Sequence, residues 1–385
     1  MNALPRALFF VWCASICRHR VGELLGADIR SGGASGPRGI LLTASTLNAA
    51  DGNINFTAKG GTTGTTTNRG IEINGSKLLT SGGGNISLTG AGGSKSNNYG
   101  VVITATSNLQ SAAGNISVNG AAGKASTAAG IGVLLDNKST IISGAGNVSI
   151  TGAGSTGATV TGNNGVQINT INGISSATGN IQITGTSGAG TGADYGVRII
   201  GASPITTGGA ILSVTGKSLS VGNTNGNIGI DISGASKLTN SNAAGVIDLN
   251  GAGGGGAGTN RFGVNIAGST VQATAGGSIN VTGVGGGKFA GINIAATNPV
   301  IGNAATKNIT LTASNGGGGD ALALAAGSKL LGAGTLTIQG PNAATTMGIG
   351  GAASALFNVQ VNTTELGFIQ PGFADIVFGR SDGTG

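Results

Sequence analysis

Asn147-Val148-Ser149-Ile150-Thr151-Gly152 returns further along the chain as Asn180-Ile181-Gln182-Ile183-Thr184-Gly185. In each stretch apolar and polar residues alternate behind a leading Asn and in front of a closing Gly. Alternation with period two marks a strand with one buried face. The β-branched side chains fit that pleated surface. The phrase also occurs at Asn53-Ile54-Asn55-Phe56-Thr57, Asn85-Ile86-Ser87-Leu88-Thr89-Gly90 and Asn115-Ile116-Ser117-Val118-Asn119-Gly120. Ile86 and Leu88 are expected to point inward, Ser87 and Thr89 outward. Later copies begin at Leu212, Ile247, Ile279, Ile309 and Leu336, with steps of 27 to 35 residues between successive copies. Self-similarity at about 31 residues, sustained this long, is the signature of a solenoid.

A second motif sits roughly midway between copies, as in Gly70-Ile71-Glu72-Ile73, Gly165-Val166-Gln167-Ile168, Gly196-Val197-Arg198-Ile199 and Gly229-Ile230-Asp231-Ile232. A shorter apolar pair separates the two motifs, such as Leu78-Leu79, Ile141-Ile142 or Leu330-Leu331. Three short strands per repeat predict an all-β chain, a right-handed parallel β-helix of about ten coils. At a strand spacing of about 4.8 Å the rod is on the order of 50 Å long. Propeller blades usually run longer, about 40–50 residues. Hairpins would not favour repetition of the same inward residues in every copy.

Composition agrees with a thin core that recurs once per coil. Hydrophobic types make up 39% of the 385 residues, charged residues 8% and aromatics 3%, with 79 Gly. Low hydrophobicity with high charge would indicate disorder, and Gly at every third position would indicate collagen; neither holds. The net charge is +7, but no basic run or stripe follows residue 38, so nucleic acid is not an expected partner. No stretch of 18 apolar residues exists, so no membrane-spanning helix is expected.

Residues 1–38 differ from the rest. They hold both cysteines (Cys13, Cys17), the only His (His19) and the only Trp (Trp12). Arg6 precedes an apolar run of signal-peptide length from Ala7 to Cys17, but Arg18-His19-Arg20 follows with no clean small-x-small cleavage site. A degenerate export signal, a misassigned start and a folded helical cap all fit this leader. Residues 39–345 are assigned to the β-helix repeats. Residues 346–385 are read as an irregular C-terminal coil, with the chain a fragment of a longer frame and the edge of its last coil exposed.

Asn precedes the first apolar position at Asn53, Asn85, Asn115, Asn147, Asn180 and Asn308. These positions suggest a stacked ladder of side-chain amides along the axis; tolerance of turn dihedrals by Asn is a compatible reading. Loops rich in Gly, Ala, Ser and Thr follow each third strand and absorb the variation in period. Tyr99, Tyr195, Phe262 and Phe289 close some of them and are expected to plug the core edge where the loop re-enters the coil.

Chemistry finds little support. Beyond residue 38 there is no His and no Cys, and no metal or other cofactor is expected. Glu72 and Asp231 share a motif position five coils apart. That is about 24 Å, against the roughly 5–9.5 Å of a glycosidase pair. Asp231 and Asp248 are placed on different faces of one coil. Calcium-binding β-rolls need regular Gly-Gly-x-Gly-x-Asp runs, and Asp320 behind Gly316 to Gly319 is a single instance. The outward Thr-x-Thr positions of the third strand are mixed and interrupted by Asp248, which suits a solvated face better than an ice-binding one.

The reiterated Gly-Asn-Ile-x-Ile-Thr-Gly with Gly-Val-x-Ile resembles the repeats of filamentous-haemagglutinin-like adhesins, large bacterial exoproteins often secreted by a two-partner route. Gly372-Phe373-Ala374-Asp375-Ile376-Val377-Phe378-Gly379-Arg380-Ser381-Asp382-Gly383 is similar to a segment recurring in large haemagglutinin-repeat proteins. The resemblance spans about residues 39–385. It implies an exported, non-catalytic passenger at the outer cell surface, with an outer-membrane secretion partner and a host-cell, glycan or matrix ligand. The secretion domain characteristic of that family is not identifiable in this sequence. A carbohydrate-active β-helix enzyme and a repeat fragment with no activity of its own are the alternatives.

Overall fold

The computed structural model describes residues 38–384 apart from loop positions 63–66, 95–96, 125–128, 157–160, 223–224 and 353–355, together with the backbone of Leu24–Leu25 and Asp28–Ser31. Each coil contributes one strand to each of three parallel sheets. In the fifth coil these are Val166–Asn169 in the first sheet, Ile174–Ser176 in the second and Ile181–Thr186 in the third. Each pairs in parallel with its equivalent in the next coil, Val166 with Val197, Ile174 with Ile205 and Ile181 with Leu212. Each sheet has eleven strands, ten from the coils and one from an end segment. The chain is a β-solenoid of about nine complete turns, with three strands per coil as the sequence predicts.

The alternating pattern decides the interior. Ile86, Ile116, Val148, Ile181, Leu212, Ile247, Ile279, Ile309 and Leu336 stand in one register column and all are buried. Fully burying one such side chain stabilises the coil by about 1.5–3 kcal/mol. The second sheet supplies Leu78, Leu109, Ile141, Ile174, Ile205 and Leu238.

The corner before the second sheet holds a buried hydroxyl column that the sequence reading did not single out. Ser45 N–H donates to Ser76 Oγ, Ser76 N–H to Ser107 Oγ and Ser107 N–H to Ser139 Oγ, each at 3.1 Å. Thr170 N–H donates to Ser203 Oγ (2.9 Å) and Ser203 N–H to Ser236 Oγ (3.2 Å). These bonds pair backbone donors that the corner removes from the sheet ladders. The signal was available as the recurring Ser-x-Leu/Ile of Ser76-Lys77-Leu78, Ser107-Asn108-Leu109 and Ser236-Lys237-Leu238.

Both ends carry additional pairing. Leu24–Leu25 and Asp28–Ser31 add antiparallel strands to the first coil, so part of the leader belongs to the sheets. The remaining leader residues, Cys13, Cys17 and His19 among them, lie outside the described residues. At the other end the sequence reading had the edge of the last coil open, and the structure corrects this: the edge is covered. Asp375–Phe378 pairs in parallel with Thr335–Ile338 in the third sheet. Glu365 Oε1 accepts from Leu324 N–H at 2.9 Å, and Asp320 Oδ1 accepts from Leu322 N–H (3.1 Å) and Gln360 N–H (2.9 Å). Ala321 N–H and Leu330 N–H donate to the carbonyls of Asn358 and Phe368. Glu365 and the backbone of the C-terminal segment thus satisfy donors that a bare edge would leave unpaired, and Asp320 of the last coil ties the segment down through Gln360. No helix among the described residues is long and apolar enough to cross a membrane.

Candidate functional site

The six ladder asparagines stand at the start of the third sheet. Asn53 Oδ1 accepts from Asn85 N–H (2.8 Å), Asn85 from Asn115 (2.7 Å), Asn115 from Asn147 and Asn147 from Asn180 (both 2.8 Å). Asn180 Oδ1 accepts from Ile211 N–H at 2.9 Å and Asn308 Oδ1 from Thr335 N–H at 3.1 Å. The ladder is therefore mainly side-chain oxygen to backbone N–H; one amide-to-amide bond, Asn85 Nδ2 to Asn53 Oδ1 at 3.2 Å, joins it. Such bonds contribute about 0.5–1.5 kcal/mol each. Their role is to hold successive coils in register.

The four loop rings do not plug the core. Tyr99, Tyr195, Phe262 and Phe289 are half-buried and stand outside the apolar cluster. The residue before three of them, Asn98, Asp194 and Arg261, is itself buried beneath the loop. Alternation then sends the ring to the outer surface. There Arg198 stacks on Tyr195 at 4.6 Å, Arg69 on Tyr99 at 5.5 Å and Arg261 on Phe289 at 4.9 Å. Phe262 and Phe289 meet edge to face at 6.5 Å.

These loops roof the outer face of the first sheet, where the middle positions of successive strands form a polar row: Gln167, Arg198, Asp231, Asn265 and Asn293. Asn293 Nδ2 donates to Asn265 Oδ1 and Asn265 Nδ2 donates to Asp231 Oδ1, both at 2.7 Å. Ser233 Oγ donates to Asp231 Oδ2 at 3.1 Å, and Arg198 Nε lies 3.6 Å from the same oxygen. Asp231 is thus buried with its charge opposed and both oxygens engaged. With Tyr195, Asn225, Asn260 and Phe262 as walls, the Asp231, Asn265 and Asn293 part of the row lies in an open groove of about 490 Å³. The row continues the second motif, but the groove depends on loops from three different coils.

No protein-family model, curated protein or solved structure matches the chain. Its function is therefore argued from this geometry.

The other acids are dispersed. Glu72, on the same row as Asp231 but five coils away, is buried and paired with Arg38 and with Arg69 at 2.7 Å. Asp248 is on the third sheet, in register with Ser213 and Asn280, and Asp231 is on the first. Among the described residues no three of His, Cys, Asp and Glu stand together.

Asp194 is the exception to compensated burial. It is 0% exposed, in a column whose other members include Asn68, Asn98, Asn163 and Asn227, each also fully buried. Asn163 N–H donates to its Oδ1 at 2.7 Å. Burial pushes its carboxyl up to about 6, against the smaller opposing effect of the Asn163 and Ser220 contacts. The folded protein therefore binds this proton more tightly than the unfolded chain does. Stability falls as pH rises from about 4 to about 6, by on the order of 3 kcal/mol. In chelator-containing buffer, Asp194→Asn is expected to flatten that slope and raise the pH 7 melting temperature towards the value at pH 4. Thermal melts across the window check this; a native slope retained in the variant would assign it to another group.

Proposed function

We propose that the chain is an exported, adhesin-type solenoid, a rigid non-catalytic passenger that presents an outer binding groove at the cell surface. The observation that carries this reading is the Asp231–Asn265–Asn293 row between Tyr195 and Phe262, with Arg198 paired to Asp231 beside it. Its fixed charges oppose each other, and its stacked amides offer donors and acceptors in fixed positions. Half-buried rings flank it. A host-cell, glycan or matrix ligand rich in hydroxyls or amides is the partner such a surface suits. The parallel sheets hold the groove at a constant coil spacing, so the ligand contacts require little rearrangement. Secretion through an outer-membrane partner is the route the repeat resemblance implies.

Purified protein is expected to bind immobilised host cells, glycans or matrix proteins. Asn265→Ala combined with Tyr195→Ala should weaken that binding at least tenfold while the chain still melts cooperatively, at a temperature lowered by loss of the Asn265 bonds to Asp231 and Asn293. Binding that ignores the double variant would place the contact elsewhere, and binding to none of these surfaces would favour an inactive repeat fragment. The buried Asp231 also motivates one competing reading, a carbohydrate-active enzyme. Glycan turnover abolished by Asp231→Asn would establish it over the adhesin.

A further inference from the structure

Asparagine followed by glycine occurs seven times, at Asn74, Asn119, Asn164, Asn172, Asn225, Asn250 and Asn315. The pair carries chemistry of its own. The backbone nitrogen of the glycine attacks the side-chain carbonyl carbon of the asparagine, because no Cβ on the glycine obstructs the approach. The attack needs a glycine N–H that no hydrogen bond holds and an asparagine that water reaches. Six of the pairs are held. Gly75, Gly165, Gly226 and Gly316 N–H donate to the carbonyls of Thr104, Tyr195, Thr259 and Gly287. Asn119-Gly120 and Asn250-Gly251 lie inside strands paired on both sides.

Asn172-Gly173 is the exception, and the corner before the second sheet explains it. Gly173 precedes Ile174, which pairs with Ile141 one coil back and Ile205 one coil on, so its counterparts are Thr140 and Pro204. In other coils the residue at this place donates to a serine carbonyl of the preceding coil. Thr140 N–H donates to Ser107 O (2.8 Å), Lys237 N–H to Ser203 O (3.1 Å) and Thr270 N–H to Ser236 O (3.0 Å). In the fifth coil the Thr170 hydroxyl takes that acceptor, donating to Ser139 O at 2.8 Å. Gly173 N–H is left with no partner among the described residues, at a φ of 74°. A Cβ there would lie 1.9 Å from Pro204 O, so the position requires glycine. The displaced corner puts Ile171 and Asn172 into solvent, Ile171 at 56% exposure. Asn172 Nδ2 donates to Lys138 O of the preceding coil.

We infer that Asn172 is a site of spontaneous modification, at which Gly173 closes a cyclic imide that water opens to aspartate or isoaspartate. Hydroxide removes the Gly173 amide proton, the nitrogen bonds to Asn172 Cγ, the Cγ–Nδ2 bond breaks and Nδ2 leaves as ammonia. Water then adds to one imide carbonyl and breaks its bond to the nitrogen. In sum, one amide and one water become one carboxylate and one ammonium ion, with no oxidant, metal or enzyme. Opening at Cγ restores the backbone and leaves aspartate. Opening at the main-chain carbonyl reroutes the chain through the side chain and leaves isoaspartate, with one extra main-chain atom ahead of Ile174. Either product loses the donor to Lys138 O. The extra atom also presses on Ile174, which is buried between Ile141 and Ile205. The inference goes beyond the adhesin reading and holds whatever the groove over Asp231 binds.

The test incubates the full folded chain at mildly alkaline pH and follows its proteolytic peptides by mass spectrometry, with fragmentation that separates aspartate from isoaspartate. Asn172 is expected to convert about tenfold faster than any other Asn-Gly pair, because the other glycines must first open locally. In urea all seven pairs should convert at comparable rates, since the fold no longer selects among them. Asn172→Gln, whose longer side chain closes a larger and slower ring, should abolish conversion at this position in the folded chain. Aged native chain should melt about 2 °C below fresh chain through loss of the Lys138 contact, and aged Asn172→Gln should melt like its own fresh form. Conversion that begins at another Asn-Gly pair of the folded chain, or runs equally at all seven, overturns the inference. So does an unmodified Asn172 in the folded chain after a period in which the chain in urea has converted.

Discussion

Ile181→Asp is expected to unfold the coils around it. Ile181 is fully buried in the third sheet, between Val148 and Leu212 in register. The substitution removes a large apolar side chain, at a cost of about 2–5 kcal/mol, and places a carboxylate among Ile, Val and Leu with no donor nearby. Either the charge is buried or a proton is taken up, and each adds several kcal/mol. In a solenoid each coil leans only on its neighbours, so the damage spreads locally. Hydrogen exchange should accelerate first in Val148–Ala153, Ile181–Thr186 and Ile211–Lys217. Gln182→Asp changes the next residue on the exposed side and should stay within about 0.5 kcal/mol of the native chain. Equal melting curves for the two variants would show the inward assignment to be wrong.

Gly185→Ala should be nearly as damaging for a different reason. A Cβ at Gly185 would lie 2.1 Å from the carbonyl oxygen of Gly196 and 2.7 Å from Val197 Cγ2. Gly120, Gly152, Gly216, Gly251 and Gly283 make the same approach to the glycine that opens the next first-sheet strand. Two columns of glycine thus touch where the third sheet passes beneath the start of the first. The obstacle is backbone held by pairing on both sides, so it cannot rotate away. A cost of about 3 kcal/mol is expected. Gly83→Ala, where nothing lies within 4 Å of the added carbon, is the control and should melt like the native chain. A native-like melt for Gly185→Ala would mean the coils separate more easily than their register implies.

Much of the fold was legible because the information for a coil is local and repeated. Ile86, Ile116 and Val148 each declare the same inward position, and repetition averages out the ambiguity of any single short strand. The asparagine positions were legible too, though not the identity of their donors. The groove was legible only as the polar middle residue of the second motif. Tyr195 and Phe262 were misread because neighbouring residues in a loop follow no fixed alternation until a partner coil defines which side is covered. The C-terminal segment reads as irregular, yet Asp320 and Glu365 turn it onto the last coil through bonds that cross about forty residues.

The sequence by itself determined the period, the three strands per coil and the buried column of Ile, Val and Leu. Each follows from alternation and repetition within a few residues. Only the tertiary structure decided what the loops cover: the groove over Asp231, the solitary carboxylate of Asp194 beside Asn227, and the contact between glycine columns. The first two depend on side chains from successive coils meeting across about 30 residues of chain, and the third on backbone brought together at the two ends of one loop, as Gly185 and Gly196 are. Local pattern cannot encode such meetings; the stacking distance of parallel strands brings them about.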